Sequence, residues 1–527
     1  MPDSLLPYQQ LPPLQDSPSW PAFVAAAKAA RPTSVSLNII EAAGLSVDLS
    51  TQLQSPAFTQ SGLQLLEERA LPAARAALFQ GGLSNPTEKR AALHTALRAS
   101  APPPAVADLI KTEQERVRHF VNKLDAEQRF SHVLHIGIGG SDWGPKLAIR
   151  SLGYFEKRRE IRFVANIDAH AVQAAMQDLD PQFTLVIVSS KSFSTTETLH
   201  NAERVIGWLR AAGLADPYDN LVAVTANPAA SQKMGFKPEN TFGLWDWVGG
   251  RYSVWSSIGL PIALTLGNEA LDTFRAGAAA MDQHFLTAPF ERNAPVQMAL
   301  IAVANRNGLD FGSLSIAAYD ARLEYLAPYL QQLEMESLGK TVDTLGRPMA
   351  VDTGSAVWGM PGTDGQHTFF QWLHQGTKGA PVDFIICKEA HHPYQTHHRL
   401  LWANCLGQRE ALLHGKTVAS MTDALQAQGK SAEEAAWLAR HNAHPGGRPS
   451  TLIVLPRLDA HALGALLALY EHKVFVQGVI WGINPFDQWG VEYGKVLAKT
   501  LVHELEGSSM AGAHDPSTAH WVAQLNG

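Results

Sequence analysis

Cysteine is nearly absent: Cys387 and Cys405 are the only two among 527 residues. That excludes a disulfide framework and a paired-cysteine zinc site. Charge is sparse too, at 17% of residues, and the net charge of −7 gives no basic surplus, so no nucleic-acid partner is expected. No uninterrupted apolar run reaches the roughly 18–20 residues that span a bilayer, so no membrane partner is expected either. The start, Met1-Pro-Asp-Ser-Leu-Leu-Pro7, lacks the basic opening and apolar core of a secretory signal, and the expected location is the cytoplasm. Apolar residues are plentiful, at 46%, which marks a globular chain. Its length exceeds one ordinary core, so two or more domains are expected.

Residues 1–104 read mostly as helices broken by prolines, with a helix start at Asn85–Arg90 continuing through Ala91–Ala99. Ala101-Pro-Pro-Pro104 is a natural hinge, since prolines stop a helix and stiffen the chain beyond it. From 105 to 270 strands (His132–Gly137, Ile161–Asp168, Thr184–Val188, Leu221–Thr225) alternate with helices (Gly144–Leu152, His170–Gln177, Leu199–Ala212). A second α/β pattern occupies 271–527, with strands at Ala356–Trp358, Val382–Cys387 and Thr451–Leu455 and a helical segment at Val474–Trp481. Such alternation implies mainly parallel sheets covered by helices on both faces, with ligands at the C-terminal ends of the strands.

Ser189–Thr198 carries seven hydroxyls in ten residues, together with Lys191. It sits between a β-branched run and a helical pattern, and Ser194 with Glu197 fits a capping box. Hydroxyls and unpaired amides at a helix start suit a phosphate. They equally suit an ordinary polar loop before a capped helix. His135-Ile-Gly-Ile-Gly-Gly-Ser141 mimics a dinucleotide fingerprint, but Asp142 holds the third glycine position. The motif is then a glycine turn that lets backbone approach a small ligand and presents Ser141.

The Gly-Lys-Thr triplets at 339–341 and 415–417 are no phosphate loop of the nucleotide type, because Glu334 and Glu410 occupy the position of the upstream glycine. Arg251, after Gly249 and Gly250, is suited to clamp an oxyanion. Asp320–Ser337 reads as one long helix ending near Gly339, with Gln332 and Glu336 on one face. His367 sits at a glycine turn opening an amphipathic helix. His391, His392, His397 and His398 lack a carboxylate at ligand spacing and read as a surface loop entering a helix. Pro485–Lys495, dense in aromatics, suggests a site loop entering the final helix.

Six motifs occur in one order: Gly-Ile-Gly-Gly-Ser, Ser-Lys-Ser-Phe-Ser-Thr-Thr-Glu-Thr, Asp-Trp-Val-Gly-Gly-Arg-Tyr-Ser (246–253), Met-Glu-Ser-x-Gly-Lys, Gly-Thr-Asp-Gly-Gln-His and Phe-Asp-Gln-Trp-Gly-Val-Glu-Tyr-Gly-Lys (486–495). Together they resemble the glucose-6-phosphate isomerase family from about Asn85 to His514. The resemblance implies two sugar-isomerase-type α/β/α sandwich domains with mainly parallel sheets, plus a helical N-terminal extension. The expected division is 1–104, a helical segment packing on the larger domain; 105–270, the smaller domain with the phosphate loop; and 271–527, the larger domain with C-terminal helices. It further implies a homodimer that interconverts glucose 6-phosphate and fructose 6-phosphate without metal or organic cofactor.

By the same resemblance Ser190, Ser192, Thr195 and Thr198, with Lys191 alongside, hold the phosphate, and Gly140 and Ser141 line the sugar. Glu336 is the base that moves a proton between C1 and C2, and His367 of the neighbouring subunit opens the ring with help from Lys495. Arg251 steadies the enediolate, and Gln332 and Gln488 belong to the same pocket. Each role suits its side chain, since arginine stays charged and histidine and lysine can relay protons. Departures are mild: Ser192 and Ser194 stand where the family often has Thr, and Leu338 and Asp364 where it often has Asn. Two other readings fit a phosphate loop: a non-catalytic sugar-phosphate-binding regulator, which would not need Glu336, His367 and Lys495 together, and an isomerase that also accepts mannose 6-phosphate.

Overall fold

The structure is a computed structural model that describes residues 5–30, 35–507, 512 and 514–526. Two compact units make up the chain, Met1–Pro485 and Phe486–Gly527. In the first unit the strands are β1 (Ile39–Ala42), β2 (Leu45–Thr51), β3 (His132–Ile136), β4 (Glu160–Val164), β5 (Thr184–Ser189), β6 (Leu221–Thr225), β7 (Thr241–Gly243), β8 (Ser313–Tyr319), β9 (Ala356–Gly359), β10 (Val382–Cys387) and β11 (Ser450–Leu455).

One sheet has the order β4-β3-β5-β6-β7 and is parallel throughout. The other runs β1-β2-β11-β10-β8-β9: β11, β10, β8 and β9 are parallel, while the β1–β2 hairpin adds antiparallel through β2. The central strands β5, β6 and β10 are buried along their whole length, as a sheet covered on both faces requires. Side chains alternate between faces. Leu134, Ile136, Val186 and Val188 pack against Val172, Ala202, Val205 and Leu209 of the flanking helices. His135 and Ser189 point to the opposite face, where His135 Nε2 lies 3.0 Å from Ser189 Oγ.

Three local expectations are corrected. Asn85–Arg90 is a turn, closed by backbone bonds between Asn85 and Arg90 and by Asn85 Nδ2 donating to Glu88 at 2.6 Å; only a 3₁₀ turn, His94–Leu97, comes after it. Ser194 does not cap the helix Thr196–Ala211. Thr195 occupies the N-cap without a side-chain cap bond, because Phe193 turns inward at φ +51° and Ser194 Oγ donates to Ser192 Oγ at 2.7 Å. Asp320–Ser337 is not continuous either. It comprises a 3₁₀ turn Ala321–Leu323, an α-helix Leu326–Leu330 and a π-helix Gln331–Glu336. Pro328 has no N–H to give and its ring crowds the preceding turn. Strands β1, β2, β7 and β8 were not expected from the sequence.

The helix Ala460–Trp481 is the central post of the first unit, buried from Ala462 to Trp481. It is long and apolar enough to cross a membrane, yet it is enclosed by protein. Its polar step, Glu471-His472-Lys473, is paired residue by residue. Glu471 accepts from Arg98 at 2.6 Å and from Trp255 at 2.7 Å; His472 meets Asp282 at 2.6 Å; Lys473 donates to Glu334 at 2.7 Å. Arg98 also binds Asp282 through two nitrogens, at 2.7 and 2.8 Å. Removing one member of such a buried pair costs about 3–5 kcal/mol, because the other charge is left uncompensated.

The second unit holds the 3₁₀ turn Trp489–Val491 and the helices Glu492–Leu505 and Pro516–Asn526. Glu504 ties them together through His514 at 2.8 Å. Trp489, Tyr493, Val496, Trp521 and Leu525 are each at least 60% exposed, an unusual concentration of apolar surface.

Candidate active site

In the five-stranded sheet the chain steps from β3 to β4 on one side and then crosses back to β5 on the other side of β3. The crevice beyond the C-terminal ends of β3 and β5 is therefore a topological switch point, the usual ligand site of such sheets. Two motifs lie there: the turn Gly137–Ser141 after β3 and the hydroxyl loop after β5.

In the hydroxyl loop Ser190 Oγ is 3.3 Å from Thr195 Oγ1 and accepts the Phe193 amide at 3.1 Å. Thr198 Oγ1 is buried and has no hydrogen-bond partner among the described residues. No cap side chain covers the amides that open the helix Thr196–Ala211. Free amides, clustered hydroxyls and a positive helix end form an anion cradle. Lys191 stands differently: its ammonium donates to the carbonyls of Asp246 and Val248, each at 2.8 Å. Burial, reinforced by Arg90, lowers its pKa to about 8.

The turn after β3 meets the segment carrying Arg251 backbone to backbone. Gly139 takes φ +57°, and a Cβ on Gly140 would lie 2.1 Å from the carbonyl group of Gly250, so no side chain fits. Gln332 Nε2 lies 3.0 Å from where a Gly139 Cβ would stand, and it donates to Glu336 Oε2 at 3.1 Å. Arg251, 3% exposed, reaches the same carboxylate oxygen at 3.4 Å. Its Nε donates to Ser337 Oγ at 2.6 Å and its Nη2 to the Pro485 carbonyl at 2.7 Å. Tyr252 Oη lies 3.0 Å from the same serine oxygen. Behind the π-helix, Glu334 is pinned by Lys473, so the segment faces the core with Glu334 and the site with Gln332 and Glu336. Short π segments of this kind often mark functional sites.

Gly140, Gln332, Glu336 and Arg251 thus come together, and Ser190, Thr195 and Thr198 form a cradle; Ser192 is exposed on its rim, and Ser141 ends the 3₁₀ turn Gly139–Ser141. His367 is exposed at the end of the 3₁₀ turn Asp364–His367. Gln488 and Lys495 belong to the second unit, where Lys495 is exposed and pairs with Glu492 at 2.8 Å. His391 and His392 are exposed ahead of the helix Gln395–His414, and no cluster of metal-binding side chains occurs among the described residues. Sequence reasoning missed Ser337 and Tyr252, which hold Arg251, and the His135–Ser189 contact beneath both loops. No local signal in Met-Glu-Ser separates Ser337 from an ordinary serine. Burial pushes the His135 imidazole down to about 3, so it stays neutral there.

The profile of the family described as phosphoglucose isomerase matches residues 48–522. A glucose-6-phosphate isomerase of Bordetella petrii is 58% identical over 97% of this chain and 99% of its own. One from Caulobacter vibrioides is 43% identical over 96% and 98%. The crystal structure of a glucose-6-phosphate isomerase from Chlamydia trachomatis superposes with a TM-score of 0.85 at 30% identity, covering 98% of this chain and 99% of that one. The fold, the convergence of Gln332, Glu336 and Arg251, and these matches have one explanation: the chain belongs to the phosphoglucose isomerase family.

Proposed function

We propose that this protein is an aldose–ketose isomerase interconverting glucose 6-phosphate and fructose 6-phosphate, the activity for which its relatives are named. The observation that carries the reading is the Arg251 guanidinium 3.4 Å from the Glu336 carboxylate, which Gln332 also holds, beside a hydroxyl cradle at a switch point. The cradle takes the phosphate through Ser190, Ser192, Thr195 and Thr198, and Gly140 and Ser141 line the sugar. The substrates are cyclic, so a donor–acceptor pair, His367 and Lys495, first opens the hemiacetal. Glu336 then removes a proton from one carbon and returns it to the next. Between these steps the enediolate carries negative charge on oxygen, and Arg251, fixed in advance by Ser337 and Pro485, neutralises it without reorganising. Gln488 completes the pocket.

The reading includes a homodimer in which His367 serves the neighbouring subunit's site. Its support is the exposure of His367 and the apolar surface of the second unit, which a partner subunit would cover. It also includes the division at about 104 and 270, which separates the five-stranded from the six-stranded sheet, and a cytoplasmic location. The test incubates purified protein with fructose 6-phosphate and EDTA, reading glucose 6-phosphate through a coupled dehydrogenase. Rapid turnover is expected. Protection against heat by fructose 6-phosphate without turnover would replace the isomerase by a sugar-phosphate sensor.

A further inference from the structure

The cationic side chain of the hydroxyl loop is turned away from the cradle and across to another segment. Lys191 is fixed at both ends: its carbonyl accepts the Ala226 amide at 2.9 Å and the Thr225 hydroxyl at 3.1 Å, and its ammonium grips the carbonyls of Asp246 and Val248. The gripped segment is stiff. Trp245 and Trp247 stack with ring centroids 4.8 Å apart and 6° between planes, and the Trp247 carbonyl accepts the Leu93 amide at 3.0 Å. Three residues beyond Val248 comes Arg251, with Gly250 packed on Gly140 between them. A displacement of Lys191 is therefore handed to the arginine's turn with little slack.

We infer that Lys191 is a positioning residue, a clasp through which occupancy of the phosphate cradle orders the backbone turn that presents Arg251 to the reacting carbons. The inference rests on the reading of the hydroxyl loop as the phosphate site. It gives the phosphate, which does not react, a route to the transition state: binding energy gained at the cradle holds the arginine where charge develops. The groups facing the ammonium are Arg90, Asp246 and Glu88. Arg90 pairs with Glu88 at 2.6 Å and lies 3.8 Å from Asp246, so this small charge set is nearly balanced. Above about pH 8 Lys191 is neutral and both grips lose their charge assistance.

The probe is inorganic phosphate, read by amide hydrogen exchange on the full-length protein, so the result does not depend on turnover. In the wild type, saturating phosphate slows exchange at 190–198 and also at 245–252. In Lys191→Met it slows only 190–198, and kcat falls roughly 10- to 150-fold, the worth of hydrogen bonds to a charged group. Lys191→Arg keeps the donors and the charge at high pH. It retains the response at 245–252 and loses the decline in kcat/KM that the wild type shows above pH 8. Phosphate failing to reach 245–252 in the wild type, or reaching it equally in Lys191→Met, overturns the clasp. So does loss of phosphate binding in Lys191→Met, which would make the lysine a direct ligand, and so does an unchanged alkaline decline in Lys191→Arg. A wild type that fails to turn over but shows the exchange pattern removes the isomerase reading and leaves the clasp standing.

Discussion

Gly140→Ala tests the architecture of the site through a single methyl group. The added Cβ would lie 2.1 Å from the Gly250 carbonyl carbon and oxygen and 2.6 Å from the Arg251 amide nitrogen, all backbone atoms. Ordinary contact begins near 3.4 Å, so the two turns must part by about 1 Å, a displacement that can cost on the order of a hundredfold in rate. Arg251 cannot follow freely, because Ser337 and Pro485 hold its guanidinium. Either that grip breaks or the turn strains, and overpacking of this kind costs about 1–3 kcal/mol of stability. The expected result is a kcat reduced roughly a hundredfold, with phosphate inhibition retained because the cradle lies on the other loop. The control is Gly250→Ala, whose Cβ meets nothing within 4 Å and which should keep near-normal turnover. Coupled-assay kinetics and urea midpoints on both variants decide the matter. Equal turnover in the two would refute the claim that this backbone contact sets the position of Arg251.

Other substitutions probe the same site and its support. Ser337→Ala removes the oxygen that receives Arg251 Nε, and should lower stability by about 1–3 kcal/mol and kcat by about tenfold; wild-type kcat would dismiss the serine as the arginine's support. Glu336→Gln should still be protected from heat by fructose 6-phosphate while turnover drops by roughly 10²–10⁴, and retained turnover would exclude it as the base. Mixing Glu336→Gln with His367→Ala subunits should recover activity, since one site of each mixed dimer is intact; no recovery would place His367 in its own subunit's site. His135 has a folded-state pKa of about 3 against an ordinary 6.5, so the unfolded chain takes up the proton first. Its stabilising effect is complete above about pH 6.5 and declines as pH falls toward 3, by up to roughly 1.4 kcal/mol per pH unit. Urea midpoints between pH 7.5 and 5 should therefore fall more steeply in the wild type than in His135→Asn; parallel slopes would contradict this account.

Central strands were the most legible part of the fold. Leu221–Thr225 and Val382–Cys387 match residue for residue, since runs of Val, Ile and Leu bounded by polar turns have no competing use. Strand β8 escaped because Ser313, Ser315 and two alanines dilute its pattern, and the β1–β2 hairpin because it borrows its burial from β11, far along the chain. Local rules also misjudged the entrance to the helix after β5: the capping box at Ser194 fits as a spacing, but the burial of Phe193 redirects the chain. At the site, Arg251 stood out locally by its two preceding glycines, whereas Glu336 was marked only by the ordered set of motifs that carries the family resemblance. Chemistry was not readable where a side chain faces another side chain. Nothing in Met-Glu-Ser distinguishes a serine beneath an arginine from one in solvent, and nothing in Ser-Lys-Ser tells which way the lysine turns.

The pairing along Ala460–Trp481 has a consequence for the order in which the protein is made. Arg98, Asp282 and Glu334 leave the ribosome well before Glu471, His472 and Lys473, the partners that complete their pairing. At about 5–20 residues per second Arg98 waits roughly 20–75 s for Glu471, and Glu334 roughly 7–28 s for Lys473. During that interval these charged side chains lack those partners, and β10 and β11, the central strands of the six-stranded sheet, are themselves still to come. A nascent chain stalled before residue 460 should therefore be a substrate for chaperones and proteases, a vulnerability that ends once Ala460–Trp481 is in place.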